Sequence, residues 1–454
     1  MNDQFEPEQD AQGQKWSRRE LLKRAALVSA GAAAIPGLNP AMAAAASKST
    51  LSAAEIATIR KYMGPVQAKY SGKGQTWKVG GAFGFSSSFS VYGIVMANGV
   101  KLAVPQIKQL GGPNIVVDYR DLGYDDPTLV RNAFIAFESE KVPFVFDSLE
   151  AAGYYANDIV SKNHILAIDA GAGNGGLPPL PYFWGMRANW AFDGWTIGAK
   201  YFVEKLKKTK AVIIFNGGEG SIGDAYINGA KAATVAAGGQ VVNVVQPAVG
   251  TTDFSNTFTQ IRSSGNFDFI SLGLSGLDVA NFLKQYKSSG INSTVLSWEG
   301  LLSPTAKVAG AAAYEGVYCG GVDAFAVNSP NPWAQVFVKS YRQMFGDDGL
   351  PGCTPSYYSA LYYDCAFLLW QLYREVKKKG GNVNSGADLQ AALQANPSVL
   401  GVIGGNAHSV GTTTFSTKTQ GLQHEPIALY RIHNLQPITV ATSYLGSNNI
   451  TILG

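Results

Sequence analysis

Apolar positions in residues 77–168 alternate between two spacings. Continuous apolar runs have the character of buried strands, and between them apolar residues recur every three or four positions, as they do in helices. This alternation predicts a succession of βαβ units, and hence a parallel sheet with helices on both faces. The predicted strands are 78–83, 115–119, 143–146 and 165–168, and the predicted helices are 93–109, 127–139 and 151–162.

A stretch rich in Gly and Pro at 171–181 interrupts the alternation, which then resumes. The resumed pattern predicts a second α/β unit of similar size, although no strong sequence repeat relates the two. Its predicted strands are 211–215, 241–245, 269–272 and 294–297, and its predicted helices are 191–208, 224–237, 254–263 and 278–286. Farther along, the predicted elements are helices at 331–345 and 357–379 and a strand at 427–432.

Residues 1–43 carry the parts of an export signal in order. Arg18 and Arg19 precede a small, apolar stretch at 25–36 that is too short to span a bilayer, and residues 41–43 have the form of a cleavage site. The segment resembles the twin-arginine class of signal peptide, with Leu21 where that class usually has Phe. The alternative is an ordinary amphipathic helix with adjacent arginines. The signal predicts a periplasmic, soluble mature protein that folds before export.

Residues 44–76 are predicted to form an N-terminal helical extension. Ile56, Ile59 and Met63 have nearly helical spacing, and Gly64 is a natural end for the helix. The alternating pattern of the two α/β units begins only after this segment.

Composition limits the class of protein. The chain has 454 residues, of which 46% are hydrophobic and 15% charged, which is sufficient for two domains with large cores. The net charge of +4 is spread thinly, and no dense Lys and Arg run with interleaved aromatic residues is present. Nucleic acid is therefore not an expected partner. No later segment reaches the ~18 apolar residues of a membrane helix.

The sequence lacks the residue patterns of common enzymes and metal sites. Its four histidines are scattered, and it has no HExxH motif, no GxSxG motif and no phosphate-binding loop. No catalytic residue, cofactor or metal is therefore expected. Cys353 and Cys365 either pair after export, with Cys319 left over, or are buried thiols.

Short motifs follow one another in a fixed order through residues 77–435. They are KVGGA at 78–82, SSS at 86–88, YG at 92–93, NGVKLAV at 98–104, GG at 111–112, DP at 126–127, TDFS at 252–255, YEGV at 314–317 and the helix segment 358–364. Each motif is short, but the ordered series resembles the periplasmic solute-binding proteins of the branched-chain amino-acid type.

The resemblance implies an α/β fold of two Rossmann-like lobes joined by a three-strand hinge. Lobe 1 is expected at 77–190 and 320–425, and lobe 2 at 191–319 and 426–454. The ligand is expected in the cleft, at the carboxyl ends of the strands. The resemblance also implies that hinge closure traps a small ligand and that the closed form docks on the permease of an ABC importer. A ligand sensor for a signalling partner and an exported α/β enzyme are the alternatives.

Residues 171–176 match the GxGxxG pattern of dinucleotide-binding loops and follow a predicted strand. Pro178, Pro179 and Pro181 come next, so an ordinary helix cannot begin there and place its N-terminus on a pyrophosphate. We therefore expect a cleft loop that lets a ligand approach backbone N–H groups. The related receptors use the corresponding loop in this way, together with a Thr hydroxyl.

The resemblance places Glu150 at the position of the receptors' carboxylate-binding Ser, and Gly173 at the position of their Thr. A carboxylate at this position would repel a ligand carboxylate in a dehydrated cleft. One interpretation is a neutral or cationic polar ligand whose N–H or O–H groups donate to Glu150. The other is that Glu150 turns to solvent at a helix N-terminus, where the helix dipole favours it.

Other candidates follow strand ends or match cleft positions of the family. Ser86 and Ser87 either cap the next helix or contact the ligand, and Tyr92 is either a cleft residue or part of the core. Asp278 falls where amino-acid receptors face the ligand ammonium, or else it is a helix N-cap. The expected ligand-binding residues are Ser86, Ser87, Tyr92, Leu149, Glu150, Gly171, Ala172, Gly173, Asn174, Trp190, Ser221, Asp278, Trp298 and Glu299.

Overall fold

The computed structural model describes residues 50–453 with several gaps. The gaps are 124–125, 172, 174–176, 188–192, 219, 303–304, 323–330, 348–354, 404–410, 424, 446 and 448. The predicted signal peptide lies outside the described residues, and so does Cys353, one partner of the disulfide considered above. Among the described residues, no helix is both long enough and apolar enough to cross a membrane.

Strands and helices alternate through most of the chain. The described strands are β1 (Thr76–Phe83), β2 (Asn114–Asp121), β3 (Phe144–Asp147), β4 (Leu166–Asp169), β5 (Phe183–Gly185), β6 (Lys210–Ile214), β7 (Gln240–Val245), β8 (Phe269–Leu272), β9 (Thr294–Trp298), β10 (Tyr318–Val322), β11 (Ser398–Gly401), β12 (Gly411–Phe415), β13 (Leu422–Gln423), β14 (Pro426–His433), β15 (Gln436–Tyr444) and β16 (Thr451–Ile452). The described α-helices are α1 (Ala53–Met63), α2 (Ser90–Gln109), α3 (Pro127–Ser139), α4 (Ala151–Tyr155), α5 (Asn157–Lys162), α6 (Asp193–Lys200), α7 (Gly220–Ala236), α8 (Ser255–Ser263), α9 (Gly276–Tyr286), α10 (Thr305–Ala309), α11 (Ala311–Tyr314), α12 (Pro332–Phe345), α13 (Tyr357–Lys378) and α14 (Gly386–Ala395).

The first lobe is built on a five-stranded parallel sheet with the order β2-β1-β3-β4-β5. Strands β3 and β4 are apolar except for a terminal Asp, as expected for strands covered by helices on both faces, and both are buried along their whole length. Helix α13 packs closely along α2. Gly99 permits this approach, since a Cβ there would lie 2.1 Å from the Ser359 carbonyl oxygen. The Gly99 of the family-like 98–104 motif therefore has a packing role.

The second lobe is built on an eight-stranded sheet with the order β16-β15-β14-β10-β9-β8-β6-β7. Strands β6 to β10 pair in parallel, and β14 to β16 extend the sheet as antiparallel strands. The expected lobe boundary at residue 320 falls inside β10, which lies between β9 and β14. A separate three-stranded sheet, β11-β12-β13, has β11 against α13.

Most predicted elements are present, with bounds shifted by a few residues, but two helices differ. The predicted helix 151–162 is interrupted at Ala156, whose φ is −134°, and Arg131 donates to the carbonyl oxygen of Tyr155 beside the break. The predicted helix 191–208 is α-helical only to Lys200 and continues as a π-helical turn. The sequence pattern also does not predict several short or glycine-containing strands, namely β5, β10 to β13 and β16, or the nine-residue strand β15.

Helix α1 packs onto the first lobe. Ser52 and Glu55 form a reciprocal capping box at its start, which satisfies two backbone donors. Glu55 also pairs with Lys339 of α12 at 2.8 Å, and the Leu51 N–H donates to the Gln109 side chain at 2.7 Å. The N-terminal segment is thus held by polar contacts to two helices of this lobe.

Candidate ligand-binding cleft

Loops that follow strands of both sheets meet at a cleft between the lobes. The Ser88 carbonyl oxygen accepts a 3.0 Å hydrogen bond from the backbone N–H of Leu277 in α9. The Tyr92 hydroxyl of α2 donates to the Gly300 carbonyl oxygen, which follows β9, at 3.3 Å. Because ligands bind at the carboxyl ends of parallel strands in open α/β sheets, this junction is the candidate site.

Glu150 lies inside this cleft. Only 1% of the residue is exposed, and its Oε1 accepts a 2.7 Å hydrogen bond from the Tyr226 hydroxyl of α7 in the second lobe. The interpretation in which Glu150 turns to solvent is therefore wrong. Burial, followed by the charge of Glu150, raises the pKa of Tyr226 well above its usual range, so the phenol stays protonated and donates.

Asp169, the last residue of β4, ties together the loops after β3 and β4. Its carboxylate accepts from the backbone N–H of Glu150 and from that of Gly171, the latter at 2.5 Å. The Tyr362 hydroxyl of α13 lies 3.4 Å from the same carboxylate and also donates to the Asp147 carbonyl oxygen. A single buried side chain thus orders both backbone segments that face the cleft from this sheet.

Asp147 lies beside Asp169 in the sheet register. Its Oδ2 accepts from the Ala152 N–H at 2.9 Å, while its Oδ1 and the Ser148 hydroxyl are buried without a hydrogen-bond partner among the described residues. Burial, followed by the charge of Asp169, raises the pKa of Asp147 well above its usual range. Asp147 therefore keeps its proton to higher pH than an exposed aspartate does.

Arg187 supplies a buried guanidinium on the first-lobe side. It stacks over the rings of Tyr357 and Tyr358, 5.6 and 5.5 Å from their centroids, and donates to the Gly171 carbonyl oxygen. Burial opposes its charge, but the neighbouring Tyr357, Tyr358 and Glu150 outweigh that effect and raise the pKa of Arg187. Sequence analysis missed this residue because it follows β5, a three-residue strand that the pattern does not predict.

Tyr92 packs in the core at the junction of the two lobes. It is fully buried, and its ring lies 5.4 Å from Tyr358 and 5.7 Å from Trp298 of the second lobe. Trp298, also expected in the cleft, donates its indole N–H to the Leu274 carbonyl oxygen at 3.0 Å. The aromatic wall of the cleft therefore has members from both lobes.

Asp278 is buried in the second lobe, but it is not a helix N-cap. The N-cap of α9 is Ser275, and Asp278 stands within the first turn. Its Oδ2 accepts from the Asn216 amide at 2.8 Å and from the Gly250 N–H at 2.9 Å. Burial raises the pKa of Asp278. The carboxylate joins the loops after β6, β7 and β8.

The serines after β1 differ in their surroundings. Ser86 and Ser87 are exposed, and neither caps α2, whose N-cap is Phe89 without a side-chain hydrogen bond. The Ser87 hydroxyl instead accepts from the Phe89 N–H at 3.4 Å. The Ser88 hydroxyl is buried and has no hydrogen-bond partner within the described part of the chain. Of the three, Ser88 is the one that lies at the lobe junction.

Some of the remaining candidate residues lie within the described part of the chain and others lie outside it. Gly171 and Gly173 are buried in the loop after β4, and Gly173 has a φ of 82°, which favours glycine. Leu149 is partly buried beside Glu150. Ser221 lies in the first turn of α7, and Glu299 begins the 3₁₀ turn after β9. Ala172, Asn174 and Trp190, and most of the 171–176 motif, lie outside the described residues.

Within the described ranges, no group of three or more His, Cys, Asp or Glu side chains has an arrangement able to hold a metal ion. Cys319 and Cys365 are both buried.

The fold and the cleft agree with a known family. Residues 76–434 match the family model described as periplasmic binding protein. The chain belongs to the periplasmic binding protein family. The predicted class, an α/β fold with two lobes of the type I periplasmic binding kind, is thereby confirmed. Of the other expected lobe boundaries, the one between 190 and 191 lies outside the described residues, and the one between 425 and 426 directly precedes β14.

Solved structures of this family resemble the chain over most of its length. A solute-binding protein of an ABC transporter from R. palustris, in complex with benzoate, has a TM-score of 0.69 and 20% identity, covering 82% of this chain and 97% of that chain. The branched-chain amino acid binding protein LivJ from Streptococcus pneumoniae, in complex with isoleucine, has a TM-score of 0.65 and 19% identity, covering 82% and 99%.

The leucine binding protein LivK from Thermotoga maritima has a TM-score of 0.65 and 18% identity, covering 81% of this chain and 98% of that chain. At these identities the likeness establishes the fold alone. No curated protein matches the chain significantly.

Proposed function

We propose that this periplasmic binding protein is the extracytoplasmic receptor of an ABC importer. It captures a small polar molecule, an amino acid or an amide-like compound, by closure of its two lobes, without covalent chemistry. The buried hydrogen bond between Glu150 and Tyr226 carries this proposal, because it joins a charged acceptor of one lobe to a donor of the other inside the cleft. Closure of this kind requires a ligand that prefers the closed arrangement.

The polar groups of the cleft favour a ligand with both donors and acceptors. Glu150 is a buried acceptor, and Arg187 presents a guanidinium that can only donate. An amide offers N–H donors and a carbonyl acceptor, and an amino acid offers an ammonium and a carboxylate. Either fits this pair better than a simple carboxylate placed against Glu150, which would be repelled.

The aromatic residues supply the rest of the recognition surface. Tyr92 and Trp298 contact each other across the lobes, and Tyr358 continues the wall. Apolar and aromatic walls with a few placed polar groups are typical of small-molecule sites. The proposed ligand-binding set therefore keeps Tyr92, Glu150, Gly171, Gly173, Asp278 and Trp298 from the sequence analysis and adds Ser88, Asp147, Ser148, Arg187 and Tyr226.

Location and partner follow from the same proposal. The family match and the signal-like N-terminus support export to the periplasm, by the twin-arginine route. The partner is an ABC permease that recognises the closed form. The lobes are proposed at 77–190 with 320–425, and at 191–319 with 426–454.

A ligand screen with a matched variant tests the proposal. Thermal-shift assays of the purified protein with amino acids, aliphatic and aromatic amides, benzoate and isoleucine should show stabilisation by a donor-bearing compound. Calorimetry should then show at least about tenfold weaker binding to Glu150→Gln. Glu315→Gln, which changes an exposed carboxylate in the second lobe, should bind as the parent does.

Solution scattering and an assay for chemical conversion of the ligand can each contradict the proposal. The best ligand should compact the protein in solution scattering beyond the ligand-free parent, because it raises the fraction of closed molecules. A ligand that binds without compaction, or that is chemically converted, would contradict a hinge-closing receptor. Binding that Glu150→Gln leaves unchanged would contradict the assigned ligand class.

A further inference from the structure

Glu150 reaches across the cleft from an unusual backbone. Leu149 and Glu150 have φ values of 66° and 52°, so two consecutive non-glycine residues lie in the left-handed region. Such residues are uncommon, and they persist where surrounding contacts fix them. Helix α4 starts directly afterwards, and Glu150 makes no side-chain capping bond to it. Something other than the helix must hold this turn.

The side chain of Asp169 contacts this turn directly. Its Oδ2 accepts from the Glu150 N–H, and its Oδ1 accepts from the Gly171 N–H. A carboxyl group has two oxygens, so it can accept both hydrogen bonds at the same time. The carboxylate therefore binds the very residue whose backbone is left-handed and links it to the facing loop.

The position of Asp169 is itself fixed by the sheet and by helix α13. It ends β4, pairs in register with Asp147 of β3 and is completely buried. The Tyr362 hydroxyl reaches it from α13. The sheet and one long helix thus determine where the carboxylate stands, and the carboxylate determines where the Glu150 backbone stands.

We propose that Asp169 is a positioning residue that fixes the left-handed backbone at Leu149 and Glu150 and so aims the Glu150 carboxylate at Tyr226 across the cleft. It acts through Glu150 rather than by touching the ligand. The inference rests on the proposed function only for the role of Glu150 in ligand capture. The orientation of Glu150 is a property of the protein alone and is tested without ligand.

The test compares Asp169→Asn with Asp364→Asn. Asp364 is a matched control, because it is also a buried carboxylate that accepts two backbone N–H groups of the same chain, those of Val402 and Ile403. Hydrogen exchange followed by mass spectrometry measures the exchange rates of the backbone amides of Glu150 and Gly171. In Asp169→Asn, exchange at these amides should accelerate about tenfold or more, because one of the two acceptors becomes an amide N–H₂.

Solution scattering without added ligand gives a second readout. Asp169→Asn should be more extended than the parent and should match Tyr226→Phe, which removes the contact from the other lobe. Asp364→Asn should lose stability but keep the parent's exchange at Glu150 and its compact shape. Adding Leu149→Gly to Asp169→Asn should restore part of the compaction, since glycine adopts the left-handed backbone without strain.

Two outcomes overturn the proposal. One is unchanged exchange at Glu150 and Gly171 in Asp169→Asn. The other is an Asp169→Asn protein that keeps the parent's compact shape while Tyr226→Phe opens. Neither measurement involves a ligand. A failed ligand screen would therefore contradict the proposed function but not the positioning role of Asp169. The two outcomes above would contradict only that positioning role.

Discussion

Tyr226 in the second lobe donates a 2.7 Å hydrogen bond to Glu150 in the first, and both residues are buried. The bond spans the cleft and therefore exists only when the lobes are in contact. Its strength consequently contributes to the free-energy difference between separated and contacting lobes.

Tyr226→Phe should weaken lobe contact while leaving each lobe folded. The variant removes a hydrogen bond to a charged acceptor, worth ~2 kcal/mol, and preserves the ring contact with Phe215. Solution scattering should report a larger radius of gyration than for the parent. The control is Tyr286→Phe, which removes a tyrosine hydrogen bond to Ser293 inside the second lobe. A control that opens as far as Tyr226→Phe would contradict the assignment.

Gly276→Ala should prevent the lobes from meeting. A Cβ at Gly276 would lie 2.1 Å from the Ser88 carbonyl oxygen of the other lobe, so contact requires the backbone to move. Ligand affinity and compaction in scattering should both fall. Gly290→Ala is the matched control, because Gly290 also has a positive φ but an added Cβ meets no described atom within 4 Å. The steric explanation fails if the two variants behave alike.

Stability should fall as pH rises through neutrality because of Asp364. Burial raises the pKa of Asp364 to about 7 from an ordinary 3.8, and the N–H groups of Val402 and Ile403 offset only part of that effect. The folded state therefore binds a proton that the unfolded state has released, so this contribution is complete below pH 3.8 and lost above about 7.

Urea unfolding at pH 5 and pH 8 measures this contribution. For Asp364 alone the free energy of unfolding should decrease by ~3 kcal/mol between these values. Asp147, whose pKa is also raised, acts in the same direction, so the prediction concerns the difference between parent and Asp364→Asn. The variant should lose less stability over this interval. Equal pH dependence in the two proteins would contradict the assignment.

Arg187→Lys should destabilise the first lobe although it conserves charge. The planar guanidinium stacks over Tyr357 and Tyr358, and an ammonium cannot reproduce that geometry. We expect a loss of ~2 kcal/mol in urea unfolding, since a buried, paired cation is disturbed. The near-ultraviolet circular dichroism of the tyrosines should change as well. Arg262→Lys, an exposed helix position in the second lobe, should leave both quantities near the parent's.

The fold was predictable from local pattern because both sheets bury their central parallel strands. Continuous apolar runs such as β3 and β8 are visible in the sequence without knowledge of their neighbours. Strand β10 escapes detection because two of its five residues are glycine, and it becomes a strand only through β9 and β14 on either side. Pairing supplied by distant residues cannot be read from a local window.

The cleft was predictable only in part, for a related reason. Glu150 was found through a family resemblance, whereas its partner Tyr226 lies 76 positions away and carries no local signal. Asp147 and Asp169 do carry a local sequence signal, since each places a carboxylate at the end of an otherwise apolar strand. A charged residue there marks the edge of a parallel sheet where ligands bind.

The order of strands in the second sheet bears on how the polypeptide matures during synthesis. The first sheet needs only residues 76–185 and is complete early. Strand β10 must wait for β14, since Tyr318 pairs with Arg431, so nearly the entire chain has left the ribosome before this edge is covered. The strands of the first sheet can thus pair during translation, whereas helix α13, which packs along α2, and the full second sheet are added later.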